Sequence, residues 1–117
     1  MQQKNEIKLE TLKDVLLFDI HGDLTAVSKP HLKEALRVSK KQGAKNIVVK
    51  FEPNIYINSA GIESLLDMFV EMKQNNQQIG VTGISEHFKK IFKMVGISRL
   101  VGIYSSVETA VENLSHH

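Results

Sequence analysis

Residues 46–75 read NIVVKFEPNIYINSAGIESLLDMFVEMKQN. Asn46 to Phe51 is a short, mostly apolar run, which predicts a buried strand. Pro53-Asn54 breaks it. A helix is expected from Asn58 or Ser59 to about Asn75, because Ile62, Leu65, Leu66, Phe69 and Met72 fall on one stripe at helical spacing. A buried strand that hands over to an amphipathic helix is half of a parallel crossover unit.

The flanking sequence repeats the alternation. Downstream, Gln78 to Thr82 predicts a short strand, and Ser85 caps a helix whose stripe is Phe88, Ile91, Phe92 and Val95, closed by Gly96. Leu100 to Tyr104 predicts a last strand. Ser105 with Glu108 fits a capping box, and Val107, Ala110, Val111 and Leu114 line a final helix. Upstream, Ile7 to Leu12 alternates as an edge strand and turns at Lys13-Asp14 into the apolar run Val15 to His21, giving a hairpin. Ser28 with Pro30 opens a helix whose thin apolar face is Leu32, Ala35, Leu36 and Ser39, stopped at Gly43. The order β-β-α-β-α-β-α-β-α predicts an α/β fold: a mixed, mostly parallel sheet with an N-terminal hairpin, packed by about four helices.

Bulk composition narrows the function. The chain has 117 residues, 42% of them hydrophobic, which suits one globular domain over residues 1–117 with a core from about 7 to 114. Fifteen Lys and Arg against thirteen Asp and Glu give a net charge of +2, and no basic stripe interleaves with aromatics, so direct nucleic-acid binding is not expected. The absence of cysteine excludes disulfides, thiol catalysis and Cys-based zinc sites. No apolar run reaches membrane-spanning length, and residues 1–10 lack a signal-peptide core, which predicts a cytoplasmic protein. His116-His117 reads either as native sequence or as the start of a truncated tag.

Catalytic and cofactor motifs are missing. The histidines at 21, 31, 87, 116 and 117 do not pair at metal-ligand spacing, so surface histidine is the expectation and no metal is assigned. There is no G-x-S-x-G, and Ser59 has no histidine near it in sequence. Gly80, Gly83 and Gly96 form no phosphate-binding loop, so no nucleotide cofactor is assigned. Asp19 and Asp23 stand alone beside the first apolar run. Lys89, Lys90 and Lys93 read as the solvated face of an amphipathic helix.

What remains is Tyr56 to Glu63, YINSAGIE, where a strand passes through a loop into a helix. Asn58 and Ser59 are both good N-cap residues. Gly61 in a first helical turn costs up to about 1 kcal/mol relative to Ala, so something approaches the backbone there. That is either a partner or a neighbouring loop of the same chain.

Asn58-Ser59-Ala60-Gly61-Ile62, then Met94-Val95-Gly96-Ile97, then Ser106-Val107-Glu108-Thr109-Ala110, together with His21-Gly22-Asp23-Leu24-Thr25 upstream, resemble the ordered motifs of the STAS domain of anti-sigma-factor antagonists. The resemblance runs from about residue 7 to 114. It implies that Ser59 is phosphorylated by a partner anti-sigma factor with serine-kinase activity, that the unphosphorylated form binds this partner, and that a PP2C-type phosphatase resets the switch. It implies a non-enzymatic protein whose partner contacts include Asn58, Ala60, Gly61, Glu63, Asp67, Asp23 and Thr25. Glu63, Asp67 and Glu71 form an acidic helix face, read either as part of that contact or as a solvated face. The chain departs from the family pattern at Asn58 and Thr25, which replace aspartates, and at Lys50, which replaces an acid. The alternative implied by the family is a non-switching STAS subunit or scaffold of a signalling or lipid-transport assembly.

Overall fold

The computed structural model describes residues 5–115, so the His116-His117 pair lies outside the described residues. Five strands form one sheet: β1 (Glu6–Leu12), β2 (Val15–His21), β3 (Asn46–Phe51), β4 (Gln78–Thr82) and β5 (Gly102–Tyr104), in spatial order 1-2-3-4-5. β1 pairs antiparallel with β2 through the Lys13-Asp14 turn, and the remaining pairs are parallel. The helices are α1 (Lys29–Lys41), α2 (Ser59–Gln74), α3 (Glu86–Met94) and α4 (Val107–Ser115).

Each parallel step moves in the same direction across the sheet, so right-handed crossovers put α1, α2 and α3 on one face. Strand alternation supplies that face with Leu16, Phe18, Ile20, Ile47, Val49, Phe51, Ile79 and Val81, which pack with Leu32, Leu36, Leu65, Phe69, Phe88 and Phe92 of the helices. The opposite face presents Val15, Leu17 and Val48, and α4 covers it with Ala110, Val111 and Leu114. Further along the strands the alternation continues onto Asp19 and His21 of β2 and Lys50 of β3, which are half-buried or exposed.

Several local expectations need correction. β5 begins at Gly102 rather than Leu100, because Gly96 turns at φ +89° into a 3-10 turn, Ile97–Arg99, and the Leu100 N–H donates back to the Ile97 carbonyl at 2.8 Å. The cap of α4 is Ser106, not Ser105: its Oγ accepts the Thr109 N–H at 3.1 Å, and the partner hydroxyl at N3 is Thr109 rather than the Glu108 carboxylate. Val95, expected on the α3 stripe, is 41% exposed, because it lies past the last turn beside Gly96. A second 3-10 turn, Ala26–Ser28, precedes α1 and is capped by Thr25. The Ser28 hydroxyl accepts the Thr25 N–H and bonds the buried Asn5 side chain, so it ties the residue before β1 to the β2–α1 loop and leaves α1 without a side-chain cap.

Candidate functional site

The β2–α1 and β3–α2 loops leave the carboxyl ends of neighbouring parallel strands and are laced together. Leu24 N–H donates to the Tyr56 carbonyl at 2.9 Å, Asn58 N–H donates to the Leu24 carbonyl at 3.0 Å, and Tyr56 N–H donates to Asp23 Oδ1 at 3.0 Å. Farther from the helix start, Glu52 Oε1 accepts the Gly22 N–H at 3.1 Å. Glu52 Oε2 lies 3.2 Å from His21 Nδ1, and Asp19 Oδ2 lies 3.3 Å from His21 Nε2. Glu52 first and Asp19 second raise the His21 pKa above its ordinary value. The Gly22 N–H first and His21 next hold the Glu52 carboxyl below its ordinary range.

This lacing sets the start of α2. Asn58 is extended and is the N-cap: its Oδ1 accepts the Gly61 N–H at 2.9 Å. Ser59 is therefore the first helical residue, exposed, and among the described residues no hydrogen bond engages its hydroxyl. Gly61 is buried. A Cβ there would sit 2.7 Å from the Leu24 carbonyl carbon, well inside contact with its oxygen, and 2.9 Å from Ile57 Cγ2. The group that approaches the Gly61 backbone is a loop of the same chain, so Gly61 does not offer itself as a contact surface.

The other expected contact residues divide. Ala60 is half-buried beside Ser59. Asp23 and Thr25 are half-buried and already engaged, Asp23 with the Tyr56 amide of the neighbouring loop and Thr25 within its own 3-10 turn. The acidic face of α2 is split. Glu63 lines a groove between α2 and α3, whereas Asp67 and Glu71 line the crevice between α1 and α2, where Glu71 pairs with Lys40 at 2.8 Å. Lys50 alternates onto the α4 side of the sheet beside Asp19, opposite the face that carries α1, α2 and α3.

The α2–α3 groove, about 510 Å³, is walled by apolar side chains including Ile57, Ile62, Leu66, Phe88, Ile91 and Val95, and Asn58 and Ser59 stand at its edge. Tyr56 is 59% exposed above it. Its ring meets Phe88 edge-on at 6.4 Å, and Phe88 meets His87 at 5.0 Å. Sequence spacing does not mark His87 as a member of this site, because it reaches the groove from the next crossover unit, on α3. An exposed apolar groove of this kind is a candidate interaction surface. No described helix is long and apolar enough to cross a membrane.

The STAS domain family matches residues 6–110. The chain is 22% identical over 104 residues to the anti-sigma-B factor antagonist of Staphylococcus aureus, an alignment covering 87% of this chain and 96% of that protein. An anti-sigma factor antagonist from Mycobacterium paratuberculosis superposes with a TM-score of 0.77 at 15% identity, covering 96% of this chain and 95% of that one. The Bacillus cell fate determinant SpoIIAA in its phosphorylated form superposes with a TM-score of 0.70 at 18% identity, covering 93% and 99%. These solved structures are similar in fold.

Proposed function

The chain belongs to the STAS domain family, and on that premise we propose that it is a cytoplasmic anti-sigma-factor antagonist that switches partners at Ser59. The observation that carries this reading is the uncommitted, exposed hydroxyl at the first position of α2. Asn58 does the capping, so Ser59 is free to be modified without loss of the helix start.

In this proposal the unmodified protein docks an anti-sigma factor with serine-kinase activity. The contact uses Asn58, Ser59, Ala60 and Glu63 with the apolar wall of the α2–α3 groove. Bound ATP on that partner supplies the phosphoryl group. Ser59 Oγ attacks the γ-phosphorus, its O–P bond forms as the bond to the β-phosphate oxygen breaks, ADP leaves, and the hydroxyl proton passes to a base on the partner. A PP2C-type phosphatase returns the hydroxyl by hydrolysis, releasing inorganic phosphate.

A phosphate adds about −1.5 to −2 charges at pH 7. At the first turn of α2 it meets the positive end of the helix dipole and the Ser59 and Ala60 N–H groups, which have no partner within the helix. The fold is therefore kept while the surface changes. A partner that covered the apolar groove now has to desolvate a charged group at its edge, which is costly. Asn58 keeps the cap neutral, so it adds no repulsion beside the phosphate.

The test is phosphorylation with ATP by the kinase-fold proteins of the same genome, mapped by mass spectrometry. Phosphate on Ser59 alone, together with partner binding lost in Ser59→Asp, is the expected result. Phosphate elsewhere, or a Ser59→Asp protein that binds as tightly as wild type, overturns the proposal.

A further inference from the structure

We infer that His87 is the in-cis counter-charge of phosphorylated Ser59, so that modification draws the phosphate across the α2–α3 groove and closes the groove's mouth. This rests on Ser59 being the modified residue. Ser59 and His87 stand on the rim of one groove, carried there by two different crossover units. The rest of the wall is dominated by aliphatic and aromatic side chains, so a charge on its rim is less screened than on an open surface.

The ionisable groups that face the groove are few. From α2 comes Glu63, one turn beyond Ser59 and of the same sign as a phosphate, which it repels. From the loop before α2 comes the Tyr56 phenol, neutral at pH 7. From α3 comes His87, the one described lining residue able to carry positive charge near neutral pH. Its neighbours on α3 are otherwise placed: Glu86 pairs with Lys89 at 2.8 Å, and Lys90 is exposed outside the groove wall. Among the described residues His87 has no ion pair or hydrogen bond of its own. Its ring is steadied by the edge-on contact with Phe88, which Tyr56 steadies in turn. It lines the same groove as Ser59 and has no partner among the described residues.

The consequence is a second way for the modification to release a partner. The phosphate adds charge beside the docking surface, and the phosphate–imidazolium pair also lies over the Ile62 and Ile91 side of the groove and denies it to the partner.

The test uses the full chain with phosphoserine installed at position 59 by recoded translation, which needs no kinase and so stands or falls apart from the identity of the enzyme. The readout is the ³¹P chemical shift against pH, which reports the second ionisation of the phosphate, ordinarily near pH 6. A cation at about 5 Å lowers that midpoint by about half a pH unit. The expected result is a midpoint in the phosphorylated wild-type sequence that is lower by this amount than in its His87→Gln variant. His87→Lys should restore the low midpoint, and Lys90→Gln should leave it unchanged. Equal midpoints with and without His87, or a shift that follows Lys90 instead, overturn the inference.

Discussion

Replacing Gly61 with alanine tests why the helix start has its shape. Helix propensity alone makes Gly61→Ala favourable by about 1 kcal/mol. The added methyl, however, enters the space held by the Leu24 carbonyl, 2.7 Å from its carbon, and by Ile57 Cγ2 at 2.9 Å. The carbonyl cannot simply retreat. It accepts the Asn58 N–H at 3.0 Å, and the Leu24 N–H is fixed to the Tyr56 carbonyl at 2.9 Å. Overpacking of this kind costs about 1–3 kcal/mol, with a backbone obstacle at the upper end. Subtracting the propensity gain leaves a loss of about 2 kcal/mol. For a chain of this length that lowers the melting midpoint by roughly 6–10 °C, and the urea midpoint by about 1 M at an ordinary m-value. Urea and thermal unfolding followed by circular dichroism at pH 7 would measure it. Stability equal to or above wild type would refute the packing argument and return Gly61 to the role of admitting a partner.

Other expectations follow from the same geometry. Asn58→Ala removes the acceptor for the Gly61 N–H and should lower unfolding stability by about 1 kcal/mol, whereas Asn58→Asp keeps the cap and adds a favourable charge at the helix start. An Asn58→Ala protein as stable as wild type would remove the cap assignment. Ser106→Ala should cost about 1 kcal/mol and Ser105→Ala almost nothing, and the reverse order would restore the cap expected from sequence spacing. His21 has a raised pKa, so its pairing with Glu52 and Asp19 stabilises the fold fully below about pH 6.5 and is lost as pH rises through the folded value. Glu52 runs the other way, contributing above its ordinary range and losing that as pH falls through its lowered value. Urea midpoints compared between pH 5.5 and pH 8 should therefore fall more in wild type than in His21→Gln, and parallel profiles would show that the pair is energetically idle.

Much of the architecture is legible in the chain itself. The boundaries of β2, β3 and β4 follow from apolar runs between turn residues, and Leu32, Ala35, Leu36 and Ser39 come out buried as their spacing on α1 requires. These properties are local: alternation and helical spacing mark the buried side of an element wherever its partner comes from. Ser59 stands out for a local reason too, since Asn58 and Ser59 compete for one cap.

Contact between distant segments is a different matter, because periodicity names an inner face without naming what covers it. Local chemistry explains Gly61 equally by a partner or by a neighbouring loop, and it is Leu24, from another loop, that fills the space above it. The acidic residues of α2 share a side in sequence, yet Glu63 and Glu71 open onto different grooves because α1 and α3 flank the helix. His87 lines the same groove as Ser59 only because consecutive right-handed crossovers set α2 and α3 next to each other with their first turns at the same edge of the sheet. Hydrophobic patterning specifies strands, helices and their inward stripes. The union of one serine with a groove that a histidine from the next crossover also lines comes from the order in which the crossovers stack.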